Sequence, residues 1–167
     1  MSSFQKNETM AIHQKLYLLH HRRIFKICFL IVGNRMDAEE VTHDVFMRLF
    51  GQIENLQDER AFPAWIRSIA IRTSIDRVRR KTHEHIQIEH QSIASDEPYE
   101  ESDFLLSFKS KLNLLPDGYR TVLSMYLLED YEFEEIAKVL QIKESSVRSQ
   151  YVRGRDRIMK QLNIVKK

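Results

Sequence analysis

The chain has 167 residues, enough for one domain of ordinary size or two small ones. An apolar share of 43% fits a folded protein, and the scarcity of Gly (4) and Pro (3) favours helices over turn-rich β structure. The net charge of +2 points to no partner class by itself, and a single cysteine, Cys28, excludes an internal disulfide.

The first predicted helix runs from about Thr9 to Val32. Ile12, Leu16, Leu19 and Ile27 recur at helical spacing, and Gly33-Asn34 supplies a stop. Cys28 lies among Ile27, Phe29 and Leu30 and is expected to be a buried thiol acting as a small hydrophobe. Ile27 to Val32 is an apolar run of six residues, far short of a membrane span. Met1 to Glu8 is polar and lacks a signal-peptide core, so a cytoplasmic protein without membrane insertion is expected.

A second helix is predicted from Asp37, with Asp37 as its cap and Glu40 completing a capping box. Ala38, Val41, Val45 and Leu49 form its apolar stripe, and Gly51 ends it. Gln52 to Ala61 reads as a polar loop. A third helix starts near Phe62-Pro63, since Pro is tolerated in a first turn. Phe62, Trp65, Ile66, Ile69, Ala70 and Thr73 share one side of it, with Arg60 and Arg67 opposite.

From His83 to Asp103 there are seven acids, no Lys or Arg, and no apolar periodicity; a flexible acidic linker is expected. Phe104 to Leu115 and Asp117 to Leu128 read as two further helices, with Pro116 between them. Glu132 to Leu140 and Lys143 to about Leu162 read as a helix-turn-helix pair. The fold expected is therefore all-α, with two small helical bundles joined by an acidic flexible linker, the C-terminal one containing the helix-turn-helix. The boundaries fall at 1–82, 83–103 and 104–167.

Charge follows the same division. Arg60 to Lys81 carries seven basic residues against Asp76 alone, and Lys143 to Lys167 carries eight against Glu144 and Asp156. Two basic blocks around an acidic one suggest two polyanion-binding surfaces and a solvated connector.

In the helix-turn-helix, Ala137 is small where the two helices touch. Ile136, Leu140, Ile142, Val147 and Tyr151 hold the pair together. The exposed face of the second helix offers Ser145, Ser146, Arg148, Ser149, Gln150, Arg153 and Arg155. Arg can bond two acceptors on guanine, Gln can pair with adenine, and Ser reaches phosphate or base edges. Upstream, Arg60, Arg67, Arg72, Arg79 and Arg80 can neutralise phosphates. Phe62 and Trp65 either stack on an unpaired base or belong to the core. Asp37 and Glu40 either favour the dipole of their own helix or face a partner.

These segments resemble bacterial sigma factors of the sigma-70 family, most closely the small extracytoplasmic-function group. In the C-terminal half the resemblance is carried by Leu115-Pro116-(x)3-Arg120, Tyr131 to Leu140, Ser146-Val147-Arg148-Ser149 and Arg153-Gly154-Arg155. In the N-terminal half it is carried by Asp37-Ala38-Glu39-Glu40-Val41-(x)3-Val45-Phe46, Phe62-Pro63-Ala64-Trp65-Ile66-(x)2-Ile69-Ala70 and Asp76-(x)2-Arg79-Arg80. It covers roughly residues 12–81 and 105–161.

The resemblance implies a factor that binds core RNA polymerase and promoter DNA, without a cofactor or catalysis of its own. The −35 element would be read by Ser145, Ser146, Arg148, Ser149, Gln150, Arg153 and Arg155. The −10 element would be read by Arg60, Phe62, Trp65, Arg67, Arg72, Arg79 and Arg80, with the loop from Asn55 to Ala61 helping to capture a flipped base and assist melting. Asp37, Glu40, Val41, Asp44, Val45 and Arg48 would dock on the polymerase, and an anti-sigma factor would be a further partner. A stand-alone helix-turn-helix regulator on duplex DNA is the alternative.

Two residues depart from the family pattern. Gln141 stands where Gly is common at the turn, implying a left-handed residue at some cost. Lys143 stands where a Ser cap is common, and Lys caps a helix poorly. His83-Glu84-His85 and His90 have poor ligand geometry and no cysteine partner, so no metal site is expected.

Overall fold

The computed structural model describes residues 3–84 and 103–162. All regular structure among them is helical: α1 (Ser3–Val32), α2 (Arg35–Gln52), α3 (Phe62–Glu84), α4 (Asp103–Asn113), α5 (Asp117–Leu128), α6 (Phe133–Leu140) and α7 (Glu144–Gln161). Short 3-10 turns, Ile53–Asn55 and Glu59–Ala61, punctuate the expected polar loop between α2 and α3. Most of the expected linker lies outside the described residues; α3 runs on to Glu84, beyond its expected end. No described helix is long and apolar enough to cross a membrane.

Helices α1, α2 and α3 pack as a bundle. Ile24, Ile27, Cys28 and Ile31 from α1 meet Ala38, Val41, Val45, Phe46 and Leu49 from α2 and Ile66, Ala70, Ile71 and Ile75 from α3. Each large aliphatic chain taken from water here contributes roughly 1.5–3 kcal/mol. Hydroxyls caught in this core bond locally: Thr42 donates to the Ala38 carbonyl, Thr73 to Ile69 and Ser74 to Ala70. Cys28 is fully buried as expected, and burial pushes its thiol up to about 11.

The start of α2 differs from the sequence expectation. Asn34, in extended backbone, is the cap, and its side-chain oxygen accepts from the Asp37 N–H at 2.9 Å. Asp37 is therefore the third residue of the helix, and its carboxylate is free to work elsewhere. It accepts from Arg77 Nη2 at 2.8 Å, pairs with Lys81, and takes a hydrogen bond from the Asn34 amide. Glu40 also accepts from Arg77, at 2.9 Å, rather than closing a capping box. The start of α2 is thereby tied to the last turns of α3.

In the C-terminal half, α5 is the central helix. Leu112 and Leu115 pack with Leu123 of α5 and Ile158 of α7. Helices α5 and α7 approach closely because Gly154 has no side chain: a Cβ there would stand 2.8 Å from Leu123 Cδ1 and 3.1 Å from Tyr119 Cβ.

The two bundles are docked on one another. Val122, Met125, Ile136 and Val147 belong to the same apolar cluster as the core of α1–α3. At its edge Arg120, one of the largest fully buried side chains, reaches back to α1. Its Nε and Nη2 donate to the carbonyls of Ile31 and Val32, both at 3.0 Å. Its Nη1 donates to Leu115 at 3.0 Å, and Asp117 supplies a carboxylate at 2.5 Å. A cation placed on the last carbonyls of a helix suits the negative end of its dipole. Ser124 adds a bond to the Leu30 carbonyl at 3.0 Å.

Candidate nucleic-acid interface

Helices α6 and α7 and the turn between them form the helix-turn-helix that the sequence predicts. The N–H of Glu132 donates to the Glu135 carboxylate at 2.9 Å, fixing the entry to α6. At its exit Gln141 is left-handed (φ 56, ψ 41). The Ile142 N–H donates back to the Ala137 carbonyl at 3.1 Å and the Gln141 N–H to Lys138 at 3.4 Å, the two bonds of a Schellman turn. Gln141 thus takes the strained conformation expected of it, because reversing the chain in three residues requires one.

Lys143 precedes α7 in extended backbone without a side-chain cap, also as expected. The acid of the first turn, Glu144, lies at the positive end of the helix and pairs with Arg148 at 2.5 Å. Ile136 and Val147 are buried between α6 and α7. Tyr126, Phe133 and Tyr151 form an aromatic triangle with ring centroids 4.4–5.2 Å apart, which locks both helices onto α5.

The predicted reading face of α7 is mostly open. Ser145, Arg148, Ser149, Arg153 and Arg155 are exposed, and Ser146 is half-buried. Arg148 also lies over the Phe133 ring at 4.9 Å, so its base is oriented before any ligand arrives. Arg155 is paired with its neighbour Asp156 at 3.0 Å. Gln150 is placed differently from the rest. It is half-buried and leans on α5, where its Oε1 would stand 2.8 Å from a Cβ built on Gly118.

On α3 the predicted residues are not all equivalent. Arg72 and Arg80 are exposed, and Arg60, just before the helix, is exposed beside Asp58 at 3.2 Å. Phe62 and Trp65 are half-buried and meet edge to face, with centroids 6.3 Å apart, so each keeps part of a ring at the surface. Arg67 and Arg79 instead face the C-terminal half. Arg67 lies over the Tyr131 ring at 5.5 Å, and its Nε is buried without an acceptor among the described residues. Arg79 Nη2 donates to the Leu140 carbonyl at the end of α6, at 2.7 Å. Beside Arg67, burial raises the Glu129 carboxyl above the usual carboxylate range, although Arg67 and Arg23 pull it the other way.

On α2 the structure separates the predicted docking residues into two layers. Glu40, Asp44 and Arg48 are exposed, and Arg48 donates to Thr73 at 3.1 Å. Val41 and Val45 are 2% and 0% exposed, and Asp37 is closed in by Arg77, Lys81 and Asn34. Direct apolar contact from Val41 or Val45 to a partner, as expected from sequence, is therefore unavailable in this structure: both are core. Sequence reasoning also missed Arg77 and Lys81 as the counterions of Asp37, and gave Arg120 no role. Asp37 lies 40 or more positions from both of these counterions, and the bonds by which Arg120 reaches α1 go to backbone carbonyls, which leave no local mark.

Comparison with known proteins adds an independent view of both halves. The family model for sigma-70 region 2 matches residues 16–84, and that for sigma-70 region 4 matches residues 105–158. The chain is 25% identical over 159 residues to the ECF RNA polymerase sigma factor SigW of Bacillus subtilis, covering 86% of this chain and 85% of that protein. It is 27% identical over 157 residues to the ECF RNA polymerase sigma factor SigE of Mycolicibacterium smegmatis, covering 89% of this chain and 61% of that one. In fold it is similar to the sigma factor RpoE of Bartonella quintana, solved in complex with the anti-sigma factor NepR (TM-score 0.67, 18% identity, 92% and 98% of the two chains).

Proposed function

We propose, since this chain belongs to the sigma-70 family and to its extracytoplasmic-function group, that its two halves divide the work of promoter recognition as regions 2 and 4 of that family. The chain directs core RNA polymerase to promoters for initiation of transcription. Residues 1–82 act as region 2, residues 104–167 as region 4, and 83–103 as the connector.

Ser145, Ser146, Arg148, Ser149, Arg153 and Arg155 meet the −35 element from α7, with Gln150 at the edge of that face. Each bidentate base contact would discriminate by roughly 1–3 kcal/mol. Arg60, Arg72 and Arg80 hold the backbone near −10. Phe62 and Trp65 present ring surface to an unpaired base, a contact worth roughly 1–3 kcal/mol per base. Melting then follows from tighter binding to single strands than to duplex, a shift of population rather than a chemical step. Glu40, Asp44 and Arg48 contact the polymerase from the surface of α2, while Asp37, Val41 and Val45 hold that surface from beneath.

The factor forms no bond itself and works in the cytoplasm beside the polymerase. By analogy with the Bartonella quintana pair, an anti-sigma factor regulates it. The observation that carries the reading is the pairing, in one chain, of an open basic α7 with a basic α3 that keeps two aromatic rings at its surface. Run-off transcription with core polymerase on a genomic library, followed by mapping of start sites, tests it. Start sites that share −10 and −35 sequences are expected. Binding to duplex DNA with no effect on core polymerase would favour a stand-alone regulator instead.

A further inference from the structure

Helix α1 turns one side to its bundle and leaves the other to solvent. Along its first half the inward side is a row of rings. His13 stacks on Phe50 of α2 with centroids 4.1 Å apart, and Tyr17 and His21 meet Phe46 at 4.8 and 6.5 Å. His20 meets Phe62, the first residue of α3, at 5.1 Å. Ile24, Ile27, Cys28 and Ile31 continue that side into the core. The outward side carries Ile12, Lys15, Leu18, Leu19, Arg22 and Arg23, all exposed.

Two properties set this end of α1 apart. The first is apolar exposure. Of eleven large hydrophobic side chains exposed among the described residues, five (Met10, Ile12, Tyr17, Leu18 and Leu19) fall within ten positions. Leu18 and Leu19 are 71% and 65% exposed. Met10 precedes Tyr17 by seven positions and so shares its side of the helix, towards α2, yet it is 70% exposed. The apolar side chains therefore surround this end of α1 instead of forming one stripe. The second property is charge. From Thr9 to Val32 there are four basic residues and no Asp or Glu.

These properties together select the partner. A second copy of the same face would set cations against cations. A nucleic acid would use the cations and leave the leucines in water. A protein helix covers one stripe, whereas the apolar residues here point to several sides of a ridge. An anionic lipid surface meets both demands: its acyl boundary takes up side chains from all around a helix lying in it, and its phosphates take the cations. The long stems of lysine and arginine reach from that depth to the headgroups. We propose that the first half of α1 is a docking surface for an anionic bilayer, with Ile12, Leu18 and Leu19 entering the acyl boundary and Lys15, Arg22 and Arg23 held at lipid phosphates. The helix lies on the bilayer and does not cross it. The contact is independent of promoter recognition, since it uses none of the residues assigned to DNA or polymerase.

The test is flotation of the full chain with vesicles of equal parts phosphatidylglycerol and phosphatidylcholine, or of phosphatidylcholine alone, at about 0.1 M salt. The chain is expected to float with the anionic vesicles only. Lys15→Gln with Arg22→Gln should weaken partition by about tenfold or more, and Leu18→Gln with Leu19→Gln by about tenfold. All four positions are exposed, so both paired variants should melt with the unaltered chain. An environment-sensitive dye locates the contact: on Gln14→Cys its emission should shift to the blue with anionic vesicles, and on Lys160→Cys of α7 it should not. Cys28 is buried with its thiol pushed up to about 11, so it stays unlabelled. Absence of flotation, partition unchanged by the leucine pair, or a shift at Lys160→Cys in place of Gln14→Cys overturns the proposal. Run-off transcription without lipid should be the same for both paired variants and the unaltered chain; its loss in them would give this face to the polymerase or to DNA and also overturn it.

Discussion

Replacing Gln141 by glycine should stabilise the protein although it removes a side chain. Gln141 has φ 56 and ψ 41, a conformation that costs a residue with a Cβ about 1–2 kcal/mol. Its side chain is exposed, so little packing is lost. Glycine relieves the backbone strain, but the greater freedom of the unfolded chain takes back about 0.5–1 kcal/mol. The net is a gain of about 0.5–1 kcal/mol. For a chain of this size 1 kcal/mol moves the melting temperature by about 2–4 °C, so a rise of about 1–4 °C is expected. Thermal unfolding followed at 222 nm measures it, with urea titration to check that the slope m is unchanged. The two turn bonds, Ile142 N–H to Ala137 and Gln141 N–H to Lys138, are backbone bonds and persist in the variant, so affinity for promoter DNA should not fall. A lower melting temperature with unchanged m would refute the reasoning: it would mean that the Gln141 side chain contributes more than its backbone costs.

Glu129→Gln should raise the melting temperature at about pH 8, because desolvation outweighs the pull of Arg67 and Arg23 on its carboxylate. A carboxyl raised in the folded state is penalised fully above its folded pKa. That penalty is constant well above the folded pKa and fades only as pH falls through it toward the ordinary carboxylate range, so the advantage of the variant should hold at neutral pH and shrink in acid; an advantage independent of pH would refute this. Arg153→Ala or Arg155→Ala should cut run-off transcription by about tenfold or more while leaving co-migration with core polymerase intact. Loss of polymerase binding with unchanged DNA affinity would show that the halves are assigned the wrong way round. Asp44→Arg should weaken polymerase binding in a pull-down while changing stability by less than about 0.5 kcal/mol, because Asp44 is exposed. Normal polymerase binding by that variant would remove α2 from the docking surface. Val45→Asp is no substitute for it, since a carboxylate at a fully buried position would unfold the bundle.

The features that were legible in the sequence are those whose cause is local. Helical spacing of Val41, Val45 and Leu49 placed a buried stripe on α2, and all three are core. The three-residue turn between α6 and α7 demands a left-handed residue, so the position of Gln141 announced its own strain. Lys143 announced an uncapped start in the same way. The start of α2 was misread because two adjacent signals competed. Gly33-Asn34 reads as the end of α1, but Asn34 also caps α2, and with Asn34 assigned to the stop Asp37 is the nearest candidate cap. That shift has a consequence for the site, because a capping Asp37 would be occupied by its own helix. The real Asp37 binds Arg77 and Lys81 and ties the start of α2 to the last turns of α3.

The docking of the halves lay beyond sequence reasoning for a different reason. Arg120 and Arg79 both bond main-chain carbonyls at helix ends, of Ile31 and Val32 in one case and Leu140 in the other. Each also has a carboxylate three positions away, Asp117 at 2.5 Å for Arg120 and Asp76 at 3.9 Å for Arg79, so the charges balance locally, and the carbonyls that carry the docking leave no mark because every residue has one.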